Sequence, residues 1–135
     1  MNNKRIVWSE DYSVEHDSLD RQHEELITIY NILVEFSEYS MVTISFLNDI
    51  IEILVNYSNY HFGIEESLFQ EYNYPESESH IKEHRNFIDK VKYFKEKKKD
   101  DQANDLLEFL HNYIIEHLTV SDKKYFDYFQ EAQKV

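Results

Sequence analysis

The chain has 135 residues, enough for one domain, and a formal charge of −13 from 27 Asp and Glu against 14 Lys and Arg. So acidic a surface repels both a duplex phosphate backbone and an anionic membrane, so neither nucleic acid nor membrane is an expected partner. The lack of any cysteine excludes disulfides, thiolate zinc sites and iron–sulfur clusters.

One glycine and one proline are too few for the turns of an all-β fold, while Leu, Ile, Phe and Tyr suffice for a core. The expected fold is all-α, an up-down-up-down four-helix bundle with an N-terminal arm and a short C-terminal helix, forming one domain over residues 1–135. The arm spans residues 1–18, with Trp8, Tyr12 and Val14 as its anchors. It meets Glu10 before an apolar signal segment could form, and no stretch has the length of a membrane span, so a cytoplasmic protein is the simplest expectation.

Asp20 is then placed to cap a first helix with His23, Leu26, Tyr30, Leu33 and Phe36 on its inward stripe. In the second helix, Ile44, Leu47, Ile51, Leu54, Ser58, His61, Glu65 and Leu68 keep the spacing of a bundle seam. That seam turns from apolar to polar near its C-terminal end, and Asn73-Tyr74-Pro75 terminates the helix. A third helix starts at Ser77 or Ser79 and carries His80, His84, Phe87, Val91 and Phe94. The run Lys95-Glu96-Lys97-Lys98-Lys99-Asp100-Asp101 reads as a solvated connection. The fourth helix carries Ala103, Leu106, Leu110, Tyr113 and His117, and a terminal helix follows from Asp122 to about Ala132 with Ser121 as its cap.

Seven polar residues stand where bundle cores place Leu, or at the turn beside them: His23, His61, Glu65, His80, His84, His117 and Asp122. His23 and His80 lie near helix starts, and His61, Glu65 and His117 near helix ends. In an up-down-up-down bundle these positions share one end of the molecule. His61 with Glu65 and His80 with His84 are i, i+4 pairs, one above the other on a helix face. His117 and Asp122 are five residues apart, about 140° around a straight helix. Both can face one site only if the helix breaks, and Thr119-Val120-Ser121 is the expected place. His16 and His111 fall off this layer and are expected at the surface. Glu24, Glu25, Glu66 and Glu116 are expected to be solvated helix charges, the alternative being that one of them orients an imidazole.

Seven donors exceed the needs of one ion, whereas two ions sharing bridging carboxylates absorb them. Five imidazoles, two bridging carboxylates and a bridging oxide or hydroxide leave two octahedral ions one bond short, so one position stays open. Zinc prefers four ligands and calcium or magnesium all-oxygen sets, so mixed imidazole and carboxylate points to iron, with manganese behind it. Two ferrous ions, two carboxylates and a hydroxide sum to about +1, a charge that an apolar bundle tolerates.

The motifs Asp20-Arg21-Gln22-His23, His61-Phe62-Gly63-Ile64-Glu65-Glu66, Tyr74-Pro75, His80-Ile81-Lys82-Glu83-His84 with Phe87, and His117 to Asp122 with Tyr125 follow one another in this order after Trp8. In that order and spacing the chain resembles the hemerythrin family, in particular its single-domain bacterial members, the bacteriohemerythrins. The resemblance implies two iron ions: a full one on His80, His84 and His117, and a five-coordinate one on His23 and His61, with Glu65 and Asp122 bridging. It also implies a gas pocket of Leu26, Phe62, Tyr113 and Ile114. Many members look to have Trp where this chain has Tyr113, which brings a phenol into an otherwise apolar lining.

The function so expected is reversible dioxygen binding, without turnover, for storage, delivery or scavenging; another diatomic gas is the variant ligand. A di-iron enzyme reducing peroxide, nitric oxide or dioxygen is the second possibility. It is disfavoured because oxidases of this kind use carboxylate-rich sets with Glu-x-x-His motifs. A sensory module acting through an unknown protein partner is the third.

Overall fold

Long amphipathic stretches with no internal proline wind into helices here, and Pro75, the only proline, falls between two of them. The computed structural model describes residues 5–96 and 102–133. Among these residues there are five α-helices and no strand: α1 (Asp17–Glu38), α2 (Ile44–Glu71), α3 (Ser77–Glu96), α4 (Gln102–Glu116) and α5 (Asp122–Gln133). A π-helical turn, His117–Ser121, joins α4 to α5. Helices α1 and α3 each pack against both α2 and α4, which closes the expected up-down-up-down bundle. Residues 97–101 of the expected solvated connection lie outside the described residues, whereas Lys95 and Glu96 complete the last turn of α3.

The helices end without glycine. Thr43 caps α2 by accepting the Phe46 N–H at 3.0 Å. After α2 the chain turns through Asn73 at φ 52, one of the few side chains that tolerate the left-handed region, and the Tyr74 N–H returns to the Phe69 carbonyl at 2.9 Å.

Three details of the expected helices are corrected. Asp20 does not cap α1. The helix starts earlier, at Asp17, because His16 Nδ1 accepts the Leu19 N–H at 3.3 Å. Asp20 instead ties down the arm, accepting from the Ser13 hydroxyl at 2.6 Å and the Val14 N–H at 2.8 Å. On α2, Ile44 is exposed in the first turn, and Phe69 rather than Leu68 is fully buried. A 3.6-residue helix drifts away from a strict alternation of threes and fours, so the seam shifts by one residue over six turns. On α1 the stripe holds from His23 to Leu33, but Phe36 is only half-buried and stacks on Phe46 at 4.3 Å.

Val14 is buried, and Trp8 and Tyr12 pack against the core as expected of the arm's anchors. A fourth anchor is Ile6, whose backbone exchanges two hydrogen bonds with the Asn31 side chain at 2.8 and 2.9 Å.

Two apolar clusters form. The larger holds Leu26, Tyr30, Leu33, Ile51, Leu54, Phe87, Val91, Leu106, Leu110 and Ile114, among others. The smaller holds Val14, Leu19, Phe69, Tyr74 and Tyr125. On α1, α2 and α3, and from α4 into α5, the polar candidates fall between residues of the two clusters. A polar layer is thus closed by apolar side chains above and below.

Candidate metal centre

Each helix brings its donors to this layer from the end that the topology places there. Near its start α1 supplies His23, and α2 supplies His61 and Glu65 one turn apart near its end. His80 and His84 come from the first turns of α3, His117 from the first residue of the π-turn after α4 and Asp122 from the first residue of α5. All seven are buried, none more than 4% exposed.

The expected break between His117 and Asp122 takes another form. The helix does not break; it widens. The Asp122 N–H donates to the His117 carbonyl five residues back, and Asp122 keeps helical angles of φ −72 and ψ −34. A π-turn accommodates one more residue per turn than an α-turn, so the five-residue step brings Asp122 back over His117. Within the turn the Thr119 hydroxyl donates to the Ile115 carbonyl. Ser121 is not a cap; its hydroxyl meets the Glu83 carboxylate.

The donors sort into two groups that share one residue. Ligand atoms of Glu65, His80, His84 and His117 lie within 4.8 Å of one another, and those of His23, His61 and Glu65 form a second such set. Glu65 Oε1 lies 3.1 Å from His61 Nε2 and 3.2 Å from His84 Nε2. Asp122 divides its oxygens: Oδ2 lies 3.2 Å from His23 Nε2, while Oδ1 lies 3.0 Å from His80 Nε2 and 3.1 Å from His117 Nε2. Both carboxylates therefore stand between the two histidine groups.

These contacts leave the polar atoms short of partners. Nε2 of His23, His80, His84 and His117 and all four carboxylate oxygens are buried without a hydrogen bond, crowding common points rather than aligning on one another. Each such orphan costs about 1–3 kcal/mol, and a fold of this size has only ~5–15 kcal/mol in total. A cation removes the deficit by accepting every lone pair at once, so the set fits a metal, and its mix of imidazole and carboxylate suits iron.

The electrostatics agree. Burial pushes Glu65 and Asp122 upward, but the histidines around them outweigh it and hold both below the ordinary carboxylate range. Burial lowers His117, yet Asp122 and Glu83 carry it up to about 10; burial likewise lowers His23, and Asp122 carries it above 6.5. Without metal, protons on imidazole balance the two carboxylates. Protonated His117 therefore stabilises the metal-free fold fully below pH 6.5, and that contribution fades as pH rises through about 10. Metal affinity has the opposite slope, because a ligating imidazole must be neutral. Anaerobic titration of metal-free protein with ferrous ion at pH 7 in weak buffer should release protons, and uptake with no acidification would contradict this balance.

Three supporting residues, Gln22, Glu83 and Tyr57, escaped the sequence reading, and Glu66 takes the orienting role that the sequence left open to it. The Nδ1–H of His61 donates to Gln22 Oε1 at 2.6 Å, that of His84 to Glu66 Oε2 at 3.0 Å, and that of His117 to Glu83 Oε2 at 2.9 Å. Glu66 is thus not a purely solvated charge, whereas Glu24, Glu25 and Glu116 are exposed as expected. Tyr57 stacks on His61 with centroids 5.4 Å apart and donates to the Gln22 carbonyl at 2.6 Å. The only local signal for these residues was adjacency: Gln22, Glu66 and Glu83 each sit beside a candidate ligand in the sequence.

Of the expected gas-pocket residues, Leu26, Phe62 and Ile114 are buried in the larger cluster. Phe62 stacks on His84 at 3.8 Å and lies 5.7 Å from His61, touching both histidine groups. Tyr113 stacks on His117 at 4.6 Å, and its hydroxyl is closed off from solvent with no partner. A cleft of about 220 Å³, lined in part by Phe87, Tyr113, Glu83 and His117, reaches the site from outside.

His16 and His111 lie away from the cluster, half-buried rather than exposed, and His111 packs against Tyr30 at 5.9 Å. Because His16 caps α1, His16→Ala should cost about 1 kcal/mol and lower the thermal midpoint by a few degrees, with metal content unchanged. Loss of metal in that variant would place His16 in the site after all.

A helical bundle with a buried layer of imidazoles and shared carboxylates defines a non-haem metal-binding protein of the iron type. The sequence profile of the Hemerythrin HHE cation binding domain matches residues 14–129. A bacteriohemerythrin of Clostridium acetobutylicum is 30% identical over 128 residues, covering 90% of this chain and 99% of the relative. A bacteriohemerythrin of Stenotrophomonas maltophilia is 28% identical, covering 90% and 80%, and a hemerythrin-like protein of Naegleria gruberi is 25% identical, covering 87% and 88%. The chain belongs to the hemerythrin family. Among its described residues, no helix is long and apolar enough to cross a membrane.

Proposed function

We propose that this chain is a one-domain, cytoplasmic di-iron protein that binds dioxygen reversibly, for storage, delivery or scavenging. His80, His84 and His117 would hold one ion and His23 and His61 the other, with Glu65, Asp122 and an oxide or hydroxide across the pair. The observation that carries this reading is the division of the buried donors into two groups meeting at Glu65, with Asp122 facing both groups through separate oxygens. When bound, the pair supplies electrons to dioxygen and one open coordination position.

The residues do the rest. Glu65 and Asp122 would offset half of the positive charge of a ferrous pair within the apolar bundle. Leu26, Phe62 and Ile114 keep water from the ligand, and the Tyr113 hydroxyl is the one polar group in that lining. The three hydrogen bonds to Gln22, Glu66 and Glu83 hold His61, His84 and His117 in the tautomer that turns Nε2 inward.

The test is optical. Anaerobically reduced, iron-loaded protein should gain a charge-transfer band when oxygen is admitted and lose it under vacuum. If no such band forms, reversible oxygen binding is ruled out. The buried Tyr113 hydroxyl favours the enzymatic alternative as well, since a phenol can assist reduction of peroxide, nitric oxide or dioxygen. Steady consumption of any of these, at more than a few turnovers per minute, would establish that activity instead.

A further inference from the structure

The hydrogen bonds behind the histidines differ between the two donor groups. In the group of His80, His84 and His117, two imidazoles donate Nδ1–H to carboxylates: His84 to Glu66 at 3.0 Å and His117 to Glu83 at 2.9 Å. Among the described residues, no carboxylate does this in the group of His23 and His61. His61 donates to the neutral amide oxygen of Gln22 at 2.6 Å, and His23 Nδ1 is buried with no partner.

A carboxylate that accepts the Nδ1–H draws that proton toward itself and leaves the imidazole more anionic at Nε2. A more anionic donor stabilises a ferric ion more than a ferrous one. A neutral amide oxygen does so much less. We propose that this asymmetry makes the ion on His80, His84 and His117 the first to be oxidised, so that in the half-oxidised protein the ferrous ion is the one on His23 and His61. This rests on the two-iron reading above. With two ferrous ions bound, loss of one electron to an outer-sphere oxidant such as ferricyanide would leave one ferric ion, with no bond made or broken. His23 and His61, with no anionic partner behind them, would then hold the ion that stays ferrous and can accept a neutral gas. Glu66 and Glu83 act here as positioning residues, through His84 and His117.

The experiment takes iron-loaded, fully reduced protein through stepwise oxidation with ferricyanide, recording both one-electron potentials and then offering nitric oxide or azide to the half-oxidised state. Nitric oxide reports a ferrous ion at the open position, and azide a ferric one. The expected result is two separated potentials and a half-oxidised protein that binds nitric oxide in preference to azide. Glu83→Gln and Glu66→Gln should each raise the lower potential, and Gln22→Glu should lower mainly the upper one, so all three narrow the gap. A purely structural role would alter iron retention against a chelator while leaving the gap as it is.

Azide binding in preference to nitric oxide would overturn the proposal, and so would substituted proteins with full iron and an unchanged gap. If a glutamine variant fails to fold, Gln22→Glu tests the same claim from the other ion. A wild-type chain that takes up fewer than two ions would sink the two-iron reading instead, so the two failures are distinct.

Discussion

Glu65→Ala is expected to yield a protein with well under one iron per chain, against about two for the wild type, and with a thermal midpoint that no longer responds to a chelator. Glu65 is the one residue common to both donor groups, and a single oxygen of its carboxylate contacts His61 from its own helix and His84 from α3. Removing it takes one donor from each group and half of the buried carboxylate charge that would offset the ions. Because ions bind the folded chain and not the unfolded one, their affinity adds directly to stability. Loss of roughly 4 kcal/mol of linked stability corresponds to a drop on the order of 10 °C for a chain of this length. The measurements are metal analysis and thermal unfolding with and without chelator. Glu24→Ala, an exposed carboxylate on α1, is the control and should leave both unchanged. A Glu65→Ala protein that keeps two irons would show that the buried layer is not the metal site.

Tyr113→Phe should leave the iron content intact and shorten the lifetime of the oxygenated protein by roughly tenfold, the worth of one hydrogen bond to a charged group. The direction follows from the state of the phenol. Burial is the largest cause holding its pKa well above 10, so Tyr113 keeps its proton and can donate a hydrogen bond. Its hydroxyl has no other partner, so a bound anionic ligand gains the bond without competition. Phe keeps the stacking on His117 and Phe87, which isolates the hydroxyl as the variable. The decay of the oxygenated band after rapid mixing measures the effect. A longer lifetime in Tyr113→Phe would mean that the phenol delivers protons, and would favour the reductive reading.

What the sequence determined by itself was whatever depends on contacts within one helix. The pairs His61 with Glu65 and His80 with His84 are one turn apart, so their shared face follows from helix geometry alone. The bundle and the level of its polar layer follow from the order of apolar and polar positions along the seams, since antiparallel neighbours bring alternate helix ends together. That is why all seven residues of the buried polar layer could be named before any distance was known.

Tertiary structure decided everything that rests on forces from elsewhere in the chain. The residues between His117 and Asp122 signalled an irregularity. Its form, one widened turn and not a break, goes with an Asp122 seated among His23 from α1 and His80 from α3. The start of α1 moved because a histidine filled the cap and Asp20 was engaged by Ser13 and Val14 in the arm. The partners of His61 and His84 lie 39 and 18 residues away, and that of His117 lies on α3, so the periodicity of no single helix records them. Glu66 and Glu24 are chemically the same residue on similar helix surfaces. Only the packing of α3 against α2 makes one a partner of an imidazole and leaves the other in water.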